Sequence, residues 1–325
     1  MRNRERGMEN EKTGPLLVIL RSPFPVLRSS FAFSLVVFSV SLCLCGSISG
    51  CSKARPAAPP EAPTDNHNRV AADFDPAATG TVCGRVTWQG NLPSVPPFEV
   101  RNYVPIGCPG QPRFLRENPH APRIDPDMHG VGGAVIFLRG VPVARARPWD
   151  HPPVRVEQRD RRFHILQGAT EVRTGFVRRG EAIEVVSREQ HYHALHASGA
   201  AFFTLTFPDA DRPRGRRLAS PGHVELTSAA GYYWMHAHLF VDDHPYYTCT
   251  DSQGRFRLEK VPAGRYEVGC WMPSWREQRH ERDPETSLIT RLFFRPPVER
   301  QQPVEVRAGA EVGAAFTLST SDFER

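Results

Sequence analysis

Five histidines of this 325-residue chain fall in two short segments, His191, His193 and His196 in the first and His236 and His238 in the second. Imidazole is the commonest protein metal ligand and titrates closest to neutral pH. His236 and His238 stand two apart in a run of β-forming residues, so an extended strand puts both on one face; His191 and His193 share that spacing. If the fold brings the segments together, these pairs supply three or four imidazoles to copper(II) or zinc(II). The alternative is neutral polar residues lining a sheet face and bonded to backbone. The sequence leaves both open.

Other chemistry is thinly represented. No Ser or Cys stands in a nucleophile-elbow context and no Gly-rich phosphate loop follows a strand, so no catalytic residue is nominated. Glu181, Glu184, Asp242, Asp243 and Asp251 read as surface and turn residues, and His244 as a packing residue. The aromatic residues read chiefly as packing between sheets. A carbohydrate-binding module is a further alternative, because a sugar stacks on an exposed Trp ring, and Trp271 and Trp275 are the least core-like of the set.

These residues must be positioned by strands. Period-2 alternation and short apolar runs bounded by turn residues predict strands at 81–88, 134–138, 162–166, 171–177, 181–187, 201–207, 223–228 and 232–241. More follow at 246–250, 255–260, 265–271, 289–295 and, interrupted, 303–319. With 31 Pro and 25 Gly, long helices are not expected. The fold class is all-β, a pair of β-sandwiches.

Two resemblances refine this. Thr250, Asp251, Gly254 and Phe256, followed by Val261, Pro262, Ala263, Gly264 and Tyr266, resemble the carboxypeptidase regulatory-like (transthyretin-type) domain, an Ig-like sandwich. The opening pieces of that family's pattern lie far upstream, in 80–93 and 134–138. The resemblance therefore implies one sandwich split in sequence, 80–145 and 244–325, around an insert at 146–243. The insert resembles a cupredoxin, a Greek-key sandwich. His193 falls at a copper-ligand position of that family, and Trp234 with Met235 matches the end of its second ligand motif. Counting back from there places Ala229 where the family has its Cys and Tyr232 where it has its second His. A blue-copper centre needs that thiolate, so the resemblance implies a degenerate copper site.

The N-terminus reads as processing signal. Apolar residues 31–44 follow Arg21 and Arg28, a stretch of 14 that is short for a membrane span of about 20 residues. Ile48, Ser49 and Gly50 then lead into Cys51, a lipidation box. Residues 1–50 are expected to be removed and 51–79, rich in Pro and Ala, to be a disordered tether. Of 41 basic and 35 acidic residues, six and three precede Cys51, leaving a net charge of +3. No basic face interleaved with aromatics indicates nucleic-acid binding. Cys83, Cys108, Cys249 and Cys270 remain in an oxidising compartment, where one or two disulfides of undetermined pairing are expected. The expectation is a non-catalytic binding or scaffolding lipoprotein of the cell envelope without a cofactor. It faces the periplasm from the outer membrane through lipid on Cys51, with an envelope protein or polysaccharide as partner. A copper- or zinc-binding or electron-transfer protein is the alternative, on His191, His193, His196, Met235, His236 and His238.

Overall fold

Alternation along each strand decides which layer receives its side chains. In Arg255–Pro262, Phe256 and Leu258 are buried while Arg255, Arg257 and Glu259 face solvent. In Val135–Arg139 every residue but the last is buried, because the strand is covered on both sides. Ile136 and Leu138 enter one core, and Val135 and Phe137 enter another on the opposite face.

The computed structural model describes residues 73–101 and 113–324. The export segment, Cys51, residues 52–72 of the expected tether and Cys108 lie outside the described residues; the tether's last part, 73–79, is instead ordered, with a 3-10 turn Pro76–Ala78 leading into the strand Thr79–Gln89. All described residues belong to one compact unit, Thr64–Arg325. Its regular structure is strand throughout, apart from three single-turn 3-10 helices. Among the described residues no helix is long and apolar enough to cross a membrane.

Four main sheets form two sandwiches. One sandwich packs the three-stranded sheet of Arg255–Pro262, Thr79–Gln89 and Glu311–Ser319 on a four-stranded sheet. The latter runs in the order Tyr247–Cys249, Val135–Arg139, Gly264–Met272, Val298–Val306. Tyr266, Val268 and Cys270 share the inner face of that sheet. Burying each large apolar side chain of this core contributes about 1.5–3 kcal/mol.

The other sandwich pairs two five-stranded sheets. The first has the order Thr174–Arg178, His236–Asp242, Gly222–Ser228, His193–Gly199, Phe203–Phe207. The second has the order Arg214–Arg217, Ala182–Ser187, Val154–Arg159, Arg162–Gln167, Thr170–Val172. The predicted strand 171–177 is thus two strands in different sheets, and Arg173 sits at the crossing. The predicted strand 232–241 begins only at His236, after a turn.

His236–Asp242 is buried on both faces, and this creates the site. Ala237, Leu239 and Val241 point into the core of their own sandwich. His236, His238 and Phe240 point the other way, toward Trp271 on Gly264–Met272 of the neighbouring sandwich. Antiparallel register sets Glu225 opposite His238 and His223 opposite Phe240, so all five side chains share that outer face.

Candidate metal centre

His120 completes the outer face from a loop. Asn118 fixes the loop by donating from Nδ2 to the Trp275 carbonyl at 3.0 Å, and its Oδ1 accepts from the His120 N–H at 2.9 Å. Arg173 Nη2 donates to the carbonyls of Pro119 and Ala121 at 2.8 and 2.9 Å. His120, held from both sides, faces the rings of His236 and His238, with centroids 5.3 and 4.7 Å away.

The hydrogen bonds fix the tautomers. His120 Nδ1 lies 2.9 Å from the Ser274 carbonyl, which can only accept, so Nδ1 carries the proton and Nε2 a lone pair. His238 Nε2, 2.9 Å from His120 Nε2, therefore donates to it. His238 Nδ1 is left to accept from His223 Nε2 at 3.0 Å. His236 differs. Its Nε2 faces the Tyr233 carbonyl at 3.1 Å and its Nδ1 faces Glu225 Oε1 at 3.0 Å. Both neighbours are acceptors, so a neutral imidazole satisfies only one of them. The other contact calls for a second proton or a cation.

Burial, reinforced by the charge of His236, holds His120 well below its ordinary value; burial and then His120 do the same for His238. Burial likewise lowers His223. Neutral imidazole is the form that ligates metals. Burial raises Glu225, but the His236 bond and the nearby imidazoles outweigh it and keep the carboxyl below the usual range. One ligand atom each from His120, Glu225 and His236 lie within 4.8 Å of one another, and His238 adjoins them. This is a three- or four-ligand set of imidazole nitrogen and carboxylate oxygen, suited to zinc(II) or copper(II). The cluster lies between two cavities, of about 730 and 200 Å³, both lined by His120, His236 and His238.

The sequence-predicted residues divide. His236 and His238 belong to the cluster. His193 does not. It lies at the inner end of His193–Gly199, fully buried, with Nε2 2.7 Å from Glu189 Oε2 and its ring 5.0 Å from that of Tyr232. His196 shares the outer face but bonds Thr204 Oγ1 through Nδ1 at 3.1 Å, and His191 is exposed in the preceding loop. Met235 is buried with Trp234 and Val100. Around His193, then, a type 1 copper site does not fit. Tyr232 and Ala229 stand where an imidazole and a thiolate are required, and Glu189 engages the imidazole.

Three residues of the cluster were missed from sequence: His120, His223 and Glu225. The period-2 rule that paired His236 with His238 also pairs His223 with Glu225 inside the predicted strand 223–228. His120, in an irregular Pro-flanked loop, gives no such signal.

Among the described residues, Cys83, Cys249 and Cys270 form no disulfide with one another; Cys108, the fourth cysteine expected to pair, lies outside them. Trp271 and Trp275 are buried at 4 and 6 % exposure, the first between the sandwiches and the second against Trp88 and Phe323. Neither offers a face for sugar stacking. His244 is a packing residue, its ring lying against Tyr246 and Tyr247.

No family model and no curated protein sequence matches this chain. Among solved structures, a copper-containing nitrite reductase from Thermus scotoductus SA-01 is similar at 14 % identity and a TM-score of 0.23 over 30 % of this chain. The chain spans 24 % of that protein. An amicyanin variant in its Cu(I) form matches at 14 % identity and TM-score 0.22, over 27 % of this chain and 81 % of the amicyanin. A reduced amicyanin variant matches at 13 % identity and TM-score 0.22, over 33 and 97 % of the two chains. Likenesses this partial decide nothing about the cluster, whose case is its own geometry.

Proposed function

We propose that this protein binds a divalent transition metal, copper(II) or zinc(II), at His120, Glu225 and His236, with His238 adjoining. The observation that carries this reading is the convergence of those three ligand atoms within 4.8 Å, two from adjacent strands of one sandwich and one from a loop bonded to the Ser274 and Trp275 carbonyls. The two acceptors around His236 support it, because a cation beside Glu225 satisfies a contact that a neutral imidazole cannot. When bound, the metal would supply a Lewis acid or a structural cross-link between the sandwiches. The chain's own residues hold it: Ser274 fixes the His120 tautomer and Arg173 fixes the loop that carries the ring.

We also propose a cupredoxin-like lineage without the copper thiolate for the sandwich that contains His236, and a carboxypeptidase regulatory-like lineage for the other. The motifs given above support both. The lipidation box at Cys51 supports attachment to the envelope, facing the periplasm.

Metal analysis of the full chain tests the reading, after loading with zinc(II) or copper(II) and removal of excess. One ion per chain is expected, retained in His193→Ala and lost in a Glu225→Gln/His236→Ala double variant. Substoichiometric metal, or full loading of the double variant, overturns the reading and leaves the imidazoles as a hydrogen-bonded network.

A further inference from the structure

A third cavity, of about 610 Å³, is lined by Arg173 and by none of the clustered imidazoles. Its volume falls within the roughly 300–1,000 Å³ typical of small-molecule sites. Arg173 and Arg123 line it together with an apolar group, Ile124, Val172, Phe176 and Tyr247; the remaining lining is largely polar, with His151, Gln167 and Thr174 among it.

Among the described residues, the two arginines have no paired carboxylate. Arg173 spends Nη2 on the Pro119 and Ala121 carbonyls. Among the described residues, nothing accepts from its Nε or Nη1, nothing accepts from the Arg123 side chain, and no carboxylate pairs with either. Asp125, the carboxylate in the lining, instead accepts through Oδ1 from the N–H groups of Asp127 and Met128. The nearby hydroxyl of Thr250 is likewise taken, donating to the Val131 carbonyl and accepting from the Ala134 N–H. Burial, with the Arg123 charge added, pushes Arg173 down to about 10. An enclosed guanidinium without an anion is an unfavourable arrangement that a bound anion relieves.

We propose that this cavity binds a small organic carboxylate, its head group held by Arg173 and Arg123 and its apolar body against Phe176 and Tyr247. A planar guanidinium matches a carboxylate fork, and two of them leave the bound pair with no excess negative charge. The apolar lining distinguishes an organic acid from an inorganic oxyanion, which has nothing to place there. The site does not rest on the metal reading. Arg173 nonetheless serves both, since the same side chain that faces the cavity holds the loop of His120.

Isothermal titration calorimetry of the full chain at constant ionic strength tests this, with benzoate, acetate, sulfate and phosphate as probes. Saturable binding of benzoate is expected, at least about tenfold tighter than acetate or sulfate, and weakened at least about tenfold by Arg123→Gln. Arg123 is exposed and its side chain bonds to no described residue, so this variant tests the site even if Arg173→Gln fails to fold. Glu225→Gln is expected to bind benzoate like the parent chain, which separates this site from the metal centre. Absence of saturable benzoate binding, an unchanged affinity in Arg123→Gln, or sulfate or phosphate binding as tightly as benzoate overturns the proposal.

Discussion

His238 Nε2 lies 2.9 Å from His120 Nε2, although 118 positions separate them in the chain. Two buried imidazoles meet nitrogen to nitrogen only if one presents a lone pair to the other's N–H, or if both turn lone pairs toward a cation. The Ser274 carbonyl fixes the His120 side of the contact: by accepting from Nδ1–H it turns the His120 Nε2 lone pair into the cluster, where His238 Nε2–H meets it. The backbone of the neighbouring sandwich thus orients the His120 lone pair that the proposed metal would use.

His120→Asn tests that preparation. The Asn amide can still donate to the Ser274 carbonyl from about where Nδ1 sits, but it lacks the Nε2 lone pair. Zinc(II) affinity, measured by competition with a chelator, is expected to fall by about 10- to 100-fold or more. The urea midpoint of the metal-free protein should change little. Unchanged zinc affinity would remove His120 from the ligand set.

Two of the five residues of this cluster could be read from the sequence, and the division has physical causes. Two histidines two apart in a β-forming run must share a face, so His236 and His238 were visible. Which face they shared was not, because His236–Asp242 is buried on both sides and apolar content alone does not mark the inner one. The family pattern directed attention to His193 at the inner end of its strand. The convergence formed instead on the outer face, where it depends on a second sandwich and on the loop of His120. Arg173 was hidden for a related reason. It lies within a continuous β-forming stretch, 171–177, and nothing local shows that the chain changes sheets there. Turn chemistry was legible at single-residue scale. Asp251 caps its own turn by accepting from the N–H groups of Gln253 and Arg255, and Gly254 takes a positive φ of 79°.

Two glycines with nearly equal φ should respond differently to Ala. Gly254 at φ 79° would place a Cβ 2.2 Å from the Val86 carbonyl oxygen and 2.8 Å from the Val131 nitrogen. Gly90 at φ 86° has nothing within 4 Å of the added carbon. Gly254→Ala adds a backbone clash to the left-handed strain and is expected to cost at least about 2 kcal/mol. Gly90→Ala carries the strain alone, about 1 kcal/mol. Urea unfolding of both variants at one pH checks the ranking, and equal losses would show that the Val86 strand edge yields.

Acid should weaken the fold in part through His151. Burial lowers this imidazole below its ordinary value of 6.5, and the bond to the Pro245 carbonyl, 2.8 Å from Nε2, only partly offsets that. Protonation therefore costs more in the folded chain than in the unfolded one. The stability tied to His151 is complete above pH 6.5 and is lost as pH falls from there through the lower folded value. His151→Gln can keep a donor to Pro245 but does not titrate. Its unfolding free energy, followed by urea titration from about pH 7.5 to 5, should decline less steeply than that of the parent. Parallel slopes would remove His151 as a contributor.

The three described cysteines offer a final check on the layers. Burial pushes the thiols of Cys249 and Cys270 up to about 12. At pH 8 a thiol titrating near 12 is ionised in only about one molecule in ten thousand, and the thiolate is the reacting species. Cys83, on the central strand Thr79–Gln89 with Sγ 3.9 Å from Glu311 Oε2, is partly covered, as Cys249 is, but it lines none of the three cavities. Iodoacetamide on the native protein, followed by peptide mass spectrometry, should modify Cys83 first. Cys249 and Cys270 should react only after addition of denaturant, without prior reduction. A requirement for reductant at either would show that it is held in a disulfide. Rapid native labelling of Cys249 would show that the cavity beside Arg173 admits solvent to a thiol that the packing of Phe176 and Tyr247 otherwise keeps neutral.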